Sequence, residues 1–202
     1  MVFTIVACQK EIDGGLASKS GDYQPVSINS LWYYTSTSGG TFSVKSVGTD
    51  SIINGRSFYR FDHKTNSGTS RAYISKWNGI YRQYGNFAPA GGQVIELVYL
   101  KDTLNGATWT NTITAGGFKN YHKYTVTAKD IDYKVGGVLY NNVIELNYEY
   151  SIDNPLGSGF IKTGSGKQYY ARNIGAIESY FNCSYLGFNT SDTTRLVTYM
   201  IW

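Results

Sequence analysis

Apolar and polar residues alternate along most of this chain with the period of two that marks β-strands. In Thr41–Val47 the pattern puts Phe42, Val44 and Ser46 on one face. In Val138–Tyr150 it puts Ile144, Leu146, Tyr148 and Tyr150 on one face and Glu145, Asn147 and Glu149 on the other. Tyr121–Lys129 alternates in the same way, with Tyr124, Val126 and Ala128 together. Shorter strands are expected at Ile28–Thr35, Ser51–Ile53, Ser57–Asp62, Arg71–Trp77, Ile80–Tyr84, Val94–Leu100, Thr108–Ile113, Gln168–Arg172, Ala176–Asn182 and Leu196–Trp202. Asn54-Gly55 and Asn78-Gly79 are two-residue hairpin signals, because both turn positions need a positive φ. Turn clusters recur every 8–15 residues or so, and no segment has an amphipathic helical period. The chain is therefore expected to be all-β. The expected form is an antiparallel meander curved into a half-barrel or open barrel, with a β-sandwich as the alternative.

The order of elements repeats. Val44–Asp50, the Asn54-Gly55 turn, Phe58–Phe61 and Arg71–Tyr81 are matched by Tyr124–Asp130, the Gly136-Gly137 turn, Val143–Leu146 and Lys167–Ile177. Each series follows a strand that carries a tryptophan, Trp32 or Trp109. Two similar halves in one continuous sheet would give this pattern.

Ahead of the strands the chain changes character. Met1–Ala7 is apolar except for Thr4 and reads as the remnant of a signal peptide, too short to span a bilayer. Gln9–Ser27 is rich in Gly and Ser with no sustained period, which is tether composition. The expected organisation is a remnant at 1–7, an anchor and flexible tether at 8–27, and one all-β domain at 28–202. Ile5-Val6-Ala7-Cys8 resembles a bacterial lipobox, and Cys8-Gln9-Lys10-Glu11-Ile12-Asp13 resembles the mature N-termini of Bacteroidetes lipoproteins. The resemblance implies that Cys8 is acylated and holds the domain at the outer membrane, facing the periplasm or the cell surface. Several acyl chains anchor stably where one binds marginally. Asp50–Tyr59, Tyr99–Asp102 with Gly106–Trp109, and Tyr169–Glu178 also look like uncharacterised Bacteroidetes lipoproteins. Some of these are similar to the lipoprotein-carrier (LolA-like) half-barrel. That fold has an apolar concave face, which implies an acyl-chain carrier or sensor; its lid helices have no counterpart in this pattern.

The 202 residues include 19 Tyr, 9 Phe and 4 Trp, and the net charge is +4 with no basic run, which excludes a nucleic-acid surface. Of the two cysteines, Cys183 is expected to be a buried free thiol if Cys8 is acylated, or its disulfide partner if it is not. His63 and His122 flank strand segments beside polar turns, lack metal-ligand spacing and read as surface or turn histidines. Gly164-Ser165-Gly166-Lys167 fails the phosphate-loop spacing and reads as a hairpin turn. Asp130 with Asp132, and Glu145 with Glu149, are the pairs that acid–base chemistry would need, but solvated strand faces give the same pattern. No catalytic residue, cofactor or metal is expected. Asp50-Ser51-Ile52, Asp102-Thr103-Leu104 and Asp192-Thr193-Thr194 resemble the Bacteroidetes O-glycosylation sequon, with Ser51, Thr103 and Thr193 as acceptors. Asn182-Cys183-Ser184 and Asn189-Thr190-Ser191 match a eukaryotic N-glycan sequon that would be inert in a bacterium. Aromatic β-surfaces suit glycans, because sugar C–H faces stack on rings. Trp77, Tyr81 and Tyr84 on one hairpin are the expected binding residues. A structural or assembly role through edge strands is the third reading.

Overall fold

The computed structural model describes residues 21–87, 93–115, 117–154, 157, 159–185 and 188–202, with backbone only at 49, 50, 86, 87, 93, 115, 185 and 188. The segment read as a signal remnant (1–7), Cys8 and most of the segment read as a tether lie outside the described residues.

The alternating pattern becomes twelve strands and no helix among the described residues. They are β1 (Leu31–Ser36), β2 (Gly40–Ile53), β3 (Arg56–Thr65), β4 (Gly68–Trp77), β5 (Ile80–Phe87), β6 (Gln93–Lys101), β7 (Thr108–Ala115), β8 (Phe118–Val135), β9 (Val138–Asp153), β10 (Phe160–Ala171), β11 (Gly175–Tyr185) and β12 (Phe188–Met200). All belong to one antiparallel sheet, in the order β6-β5-β4-β3-β2-β1-β12-β11-β10-β9-β8-β7. The sheet curls into a nearly closed barrel. Its long-range closure is the β1–β12 ladder, Leu31 against Met200 through Ser36 against Thr194. The unsealed seam falls between β6 and β7, which are neighbours in sequence. The two six-stranded meanders β1–β6 and β7–β12 run around the barrel in the same sense, the arrangement the repeated element order calls for.

Side chains close the seam where the main chain does not. The Asn111 amide sits against Val98 as a strand would: the Val98 N–H donates to Asn111 Oδ1 at 3.0 Å, and Asn111 Nδ2 donates to the Val98 carbonyl at 3.0 Å. Trp109 Nε1 donates to the same carbonyl at 2.8 Å. These bonds occupy main-chain groups on an edge that would otherwise be free to recruit another strand.

Aromatic rings fill the interior. Tyr99 on β6 meets Tyr170 on β10 across the barrel with ring centroids 6.1 Å apart, and Trp32 on β1 meets Phe61 on β3 at 5.9 Å. Trp109 stacks on Tyr124 at 5.4 Å, and Tyr124 packs on Tyr148 at 4.9 Å. Several polar tips are bonded, as buried groups generally are, while the buried Tyr99 hydroxyl has no hydrogen-bond partner among the described residues. Trp32 Nε1 donates to the Ile174 carbonyl, and the Tyr34 hydroxyl to that of Ala176. His122, read as a surface or turn residue, lies instead within β8, where the alternation that buries Asn120 and Tyr124 turns it inward. It is fully buried, stacked 4.9 Å from Tyr150, with Nδ1 2.7 Å from the Tyr148 hydroxyl. Burial lowers its pKa from 6.5 to about 4, so it is neutral in the folded protein at pH 7.

Three expectations about elements need correction. Residues 21–27, read as the end of the tether, are packed against the barrel. Tyr23 has no exposed surface, because its ring lies under the Arg172 guanidinium at 4.5 Å and its N–H is bonded to the Tyr81 hydroxyl. This segment corks the end of the barrel where β1 begins. Gly164–Lys167, read as a turn, lies within β10. Its glycines admit close neighbours: a Cβ on Gly166 would lie 2.0 Å from the Tyr180 carbonyl oxygen. Thr41–Val47 and Ser51–Ile53 are one strand, bulged between Ser46 and Asp50.

The β8–β9 hairpin outgrows its neighbours and folds back over the outside of the barrel. Register shifts between Val126 and Tyr133, with a left-handed Asp130 (φ 55°), bend it. Tyr133 stacks on Tyr169 of β10 at 3.9 Å, and its hydroxyl reaches Glu178 of β11 at 2.6 Å. Glu178 also accepts from Tyr180 and Arg195, at 2.6 Å each, and these partners outweigh its desolvation to hold its pKa low.

Replacing Asn111 with Leu leaves the Val98 N–H without its partner, while the carbonyl keeps Trp109 Nε1. The expected cost is about 1–3 kcal/mol in urea unfolding, with faster hydrogen exchange at Val98. Tyr23→Ala should cost about 3–5 kcal/mol, as for other buried aromatic truncations, and Tyr23→Phe much less. His122 adds stability that is full above about pH 6.5 and is lost as pH falls to about 4, because the unfolded chain takes the proton first. Between pH 7 and pH 4 the wild type should therefore lose up to about 3 kcal/mol more than His122→Gln.

Candidate functional site

The register of the β4–β5 hairpin decides where its aromatic residues point. The two-residue Asn78-Gly79 turn sets Trp77 opposite Ile80, Lys76 opposite Tyr81, and Tyr73 opposite Tyr84. Trp77 and Tyr84 therefore share the outer face, about 13 Å apart along the strand direction, and Tyr81 points inward. Trp77 is 70% exposed, Tyr84 is half-buried and Tyr81 is 2% exposed. The Tyr81 hydroxyl donates to Asp22 at 2.9 Å, and burial raises its pKa. The expected platform of Trp77, Tyr81 and Tyr84 is not assembled, because hairpin register splits it between two faces.

Tyr84 instead pairs with Tyr73. Main-chain pairing of β4 with β5 stops at this pair, although β4 reaches back to Gly68 and β5 runs on to Phe87. Beyond the pair lies a cleft of about 700 Å³ that takes side chains from both faces of the sheet. Tyr73, Tyr84, Arg71 and Asp62 come from the outer face; His63, Ser70 and Gln83 come from the inner face. Phe58, fully buried, supports Tyr84 with centroids 6.0 Å apart. Arg60 Nε lies 3.2 Å from Asp62 Oδ1. Arg71 and Gln83 are exposed.

The cleft combines half-exposed rings, a guanidinium, a carboxylate and an amide. That set stacks on and hydrogen-bonds a polyhydroxylated molecule. His63 and Ser70 are opposed in the ladder without a hydrogen bond between them, and Asp62 faces away toward Arg60. Burial lowers the His63 pKa, and the nearby Asp62 partly offsets this. The sequence reading missed Tyr73, Arg71, Asp62 and Gln83. The signal was present in Asn78-Gly79, since a two-residue turn dictates that Tyr73 faces Tyr84.

The other candidate residues are spread over the barrel. Glu145 is ion-paired with Lys167 at 2.7 Å, and Glu149 with Lys162 at 2.6 Å and Lys123 at 3.3 Å. Those lysines lower the Glu149 pKa, the direction opposite to what a general acid needs. Asp130 lies 3.5 Å from Arg172. Ser51, Thr103 and Thr193 are half-buried on separate parts of the fold. Asp102 is paired with Lys129 at 2.5 Å, and Asp192 takes bonds from Ser36, Thr37, Ser38 and Thr194 that lower its pKa to about 2. Cys183 is a half-buried free thiol in a polar cleft of about 450 Å³ with Asn182 and Asn189. No group of three or more His, Cys, Asp or Glu side chains that could hold a metal ion occurs among the described residues.

Neither a protein-family model nor a curated protein matches the chain. Two solved structures share its fold. One is described as a "putative lipoprotein" from Parabacteroides distasonis, with 10% identity, a TM-score of 0.56, and coverage of 91% of this chain and 100% of that one. The other is described as a "putative exported protein with YmcC-like fold" from Bacteroides fragilis, with 11% identity, a TM-score of 0.53, and coverage of 90% of this chain and 100% of that one. At these identities the likeness establishes a shared open-barrel fold.

Proposed function

We propose that this chain is a lipid-anchored cell-envelope protein that binds a glycan, without catalysis, in the cleft beside Tyr73 and Tyr84. The observation that carries the reading is the end of the β4–β5 ladder at that tyrosine pair, with Arg71, Asp62 and Gln83 around the opening. Envelope placement is supported by the lipobox-like Ile5-Val6-Ala7-Cys8 and by the description of the two structural neighbours as a lipoprotein and an exported protein. Anchorage is to the outer membrane through acylated Cys8, and mass spectrometry of the native protein finding no acyl group would remove it. The acyl-chain carrier reading is weaker, because Tyr99 and Tyr170 meet across the interior where a chain would lie. Assembly through strand edges is weaker too, because Asn111 and Trp109 occupy groups of the β6 edge.

A glycan array probed with the full-length chain tests the binding. Tyr84→Ala and Arg71→Ala should each weaken the bound glycan about tenfold, a loss of about 1.4 kcal/mol. Trp77→Ala should leave it unchanged. Arg71 is exposed, so its variant reports binding without a folding defect. Binding that survives both cleft variants, or no binding to any polysaccharide, would refute the site.

A further inference from the structure

The antiparallel meander sorts its turns between two ends. The β8–β9 hairpin bends back over the outer wall, while the β2–β3, β4–β5, β6–β7 and β10–β11 turns share one end with the start of β1 and the close of β12. This is the corked end. Exposed apolar side chains concentrate there. The four most exposed large apolar residues of the described chain are Ile52 (80%), Leu104 (79%), Trp77 (70%) and Trp202 (69%). Ile52 precedes the β2–β3 turn, Trp77 the β4–β5 turn, Leu104 lies in the β6–β7 turn, and Trp202 follows β12. Four separate segments thus carry one apolar tip each to the same rim. At the opposite end the most exposed ring, Phe160, rests on Tyr121 at 5.4 Å.

Most charges among these tips are paired with one another, and Lys101 at the end of β6 lies 5.3 Å over the Trp109 ring. Lys76 bonds Asp22, Lys129 bonds Asp102 at 2.5 Å, and Arg172 lies 3.5 Å from both Asp102 and Asp130. The tether enters here too: Arg172 Nη1 donates to the Gly21 carbonyl at 2.9 Å, fixing the first described residue at the β10–β11 turn. Cys8 precedes Gly21 by thirteen residues in the sequence.

We infer that the corked rim is a bilayer-docking surface. Ile52, Trp77, Leu104 and Trp202 enter the headgroup region when Cys8 is acylated. The inference deepens the anchored reading and rests on it for the direction of approach. Separated apolar tips around a plug suit a fluid surface better than a single protein epitope, which would gather them into a packed centre. Tryptophans at such a rim match their preference for membrane interfaces. Because most of the neighbouring charges are paired, docking should not depend on anionic lipid. The cleft beyond Tyr73 and Tyr84 then faces away from the membrane, since it opens toward Gly68 and Phe87 at the opposite end of the barrel.

The test separates docking from natural acylation. The full-length chain, in a Cys183→Ser background, is coupled through Cys8 to a maleimide-headgroup lipid in phosphatidylcholine vesicles. Brominated acyl chains then serve as quenchers of tryptophan emission. Trp77 and Trp202 are exposed and Trp32 and Trp109 are buried, so quenching reports the rim. The expected result is clear quenching, unchanged between 0.05 and 0.5 M salt to within about twofold, removed by Trp77→Phe with Trp202→Phe, and at least halved by Ile52→Ser with Leu104→Ser. Emission indifferent to the quencher, or quenching that survives the tryptophan replacements, would overturn the inference and return the rim to a protein partner. Acylation of native Cys8 is read separately by mass spectrometry, so failure of the anchor and failure of docking give different results.

Discussion

A twelve-stranded barrel encloses more space than eight strands, whose interior ordinary side chains just fill. The rest of this structure depends on how that space is occupied. Tyrosine is the answer along the walls: Tyr99 and Tyr170 span from facing strands, and Tyr124, Tyr148 and Tyr150 gather around Trp109 and His122. A long ring fills volume, and its hydroxyl can find an acceptor at the far side, as Tyr34 does at Ala176 and Tyr150 at Asn120; the Tyr99 hydroxyl is buried without one among the described residues. At the end where β1 begins, the walls alone do not suffice, and Tyr23 enters from outside the sheet. Its hydroxyl is held by Arg172, and burial pushes its pKa up to about 12.

The cork makes the two ends unlike. One end holds a network in which Asp22 receives both Tyr81 and Lys76, and Arg172 joins the entering segment to Asp102 and Asp130. Exposed apolar tips surround that network. Toward the other end the wall loosens where β4 and β5 stop pairing, and polar inner-face groups such as Gln83 and Ser70 meet solvent. The proposed membrane-docking rim and the proposed glycan cleft lie on opposite sides of this one asymmetry in packing. The same asymmetry weakens the carrier reading, since the volume an acyl chain would occupy is held by rings.

Closure is also asymmetric. Main-chain bonds join the distant β1 and β12, while the adjacent β6 and β7 are joined through Asn111 and Trp109. A side-chain amide carries one donor and one acceptor in nearly peptide geometry, so a single Asn can stand in for a rung of the ladder. The β8–β9 strap, with Tyr133 over Tyr169 and bonded to Glu178, covers part of the outer wall in a similar way.

The sequence by itself determined the all-β class, the meander and most of the turns. Those features follow from neighbours in the chain: Asn54-Gly55 and Asn78-Gly79 adopt positive φ as their residue types require. It also held the pairing of Tyr73 with Tyr84, through the length of the Asn78-Gly79 turn. It did not hold which face of that hairpin would be buried, because Trp77 and Tyr81 are equally apolar and only the curl of the whole sheet turns Tyr81 inward. Nor could composition show that residues 21–27 pack. Polar, glycine-bearing chain reads as tether until a barrel end and Arg172, some 150 positions away, provide a place for Tyr23. The β1–β12 ladder, the β6–β7 seam and the loosened β4–β5 wall are likewise contacts between distant segments or consequences of curvature. Local periodicity carries no information about them, and only the tertiary structure decided them.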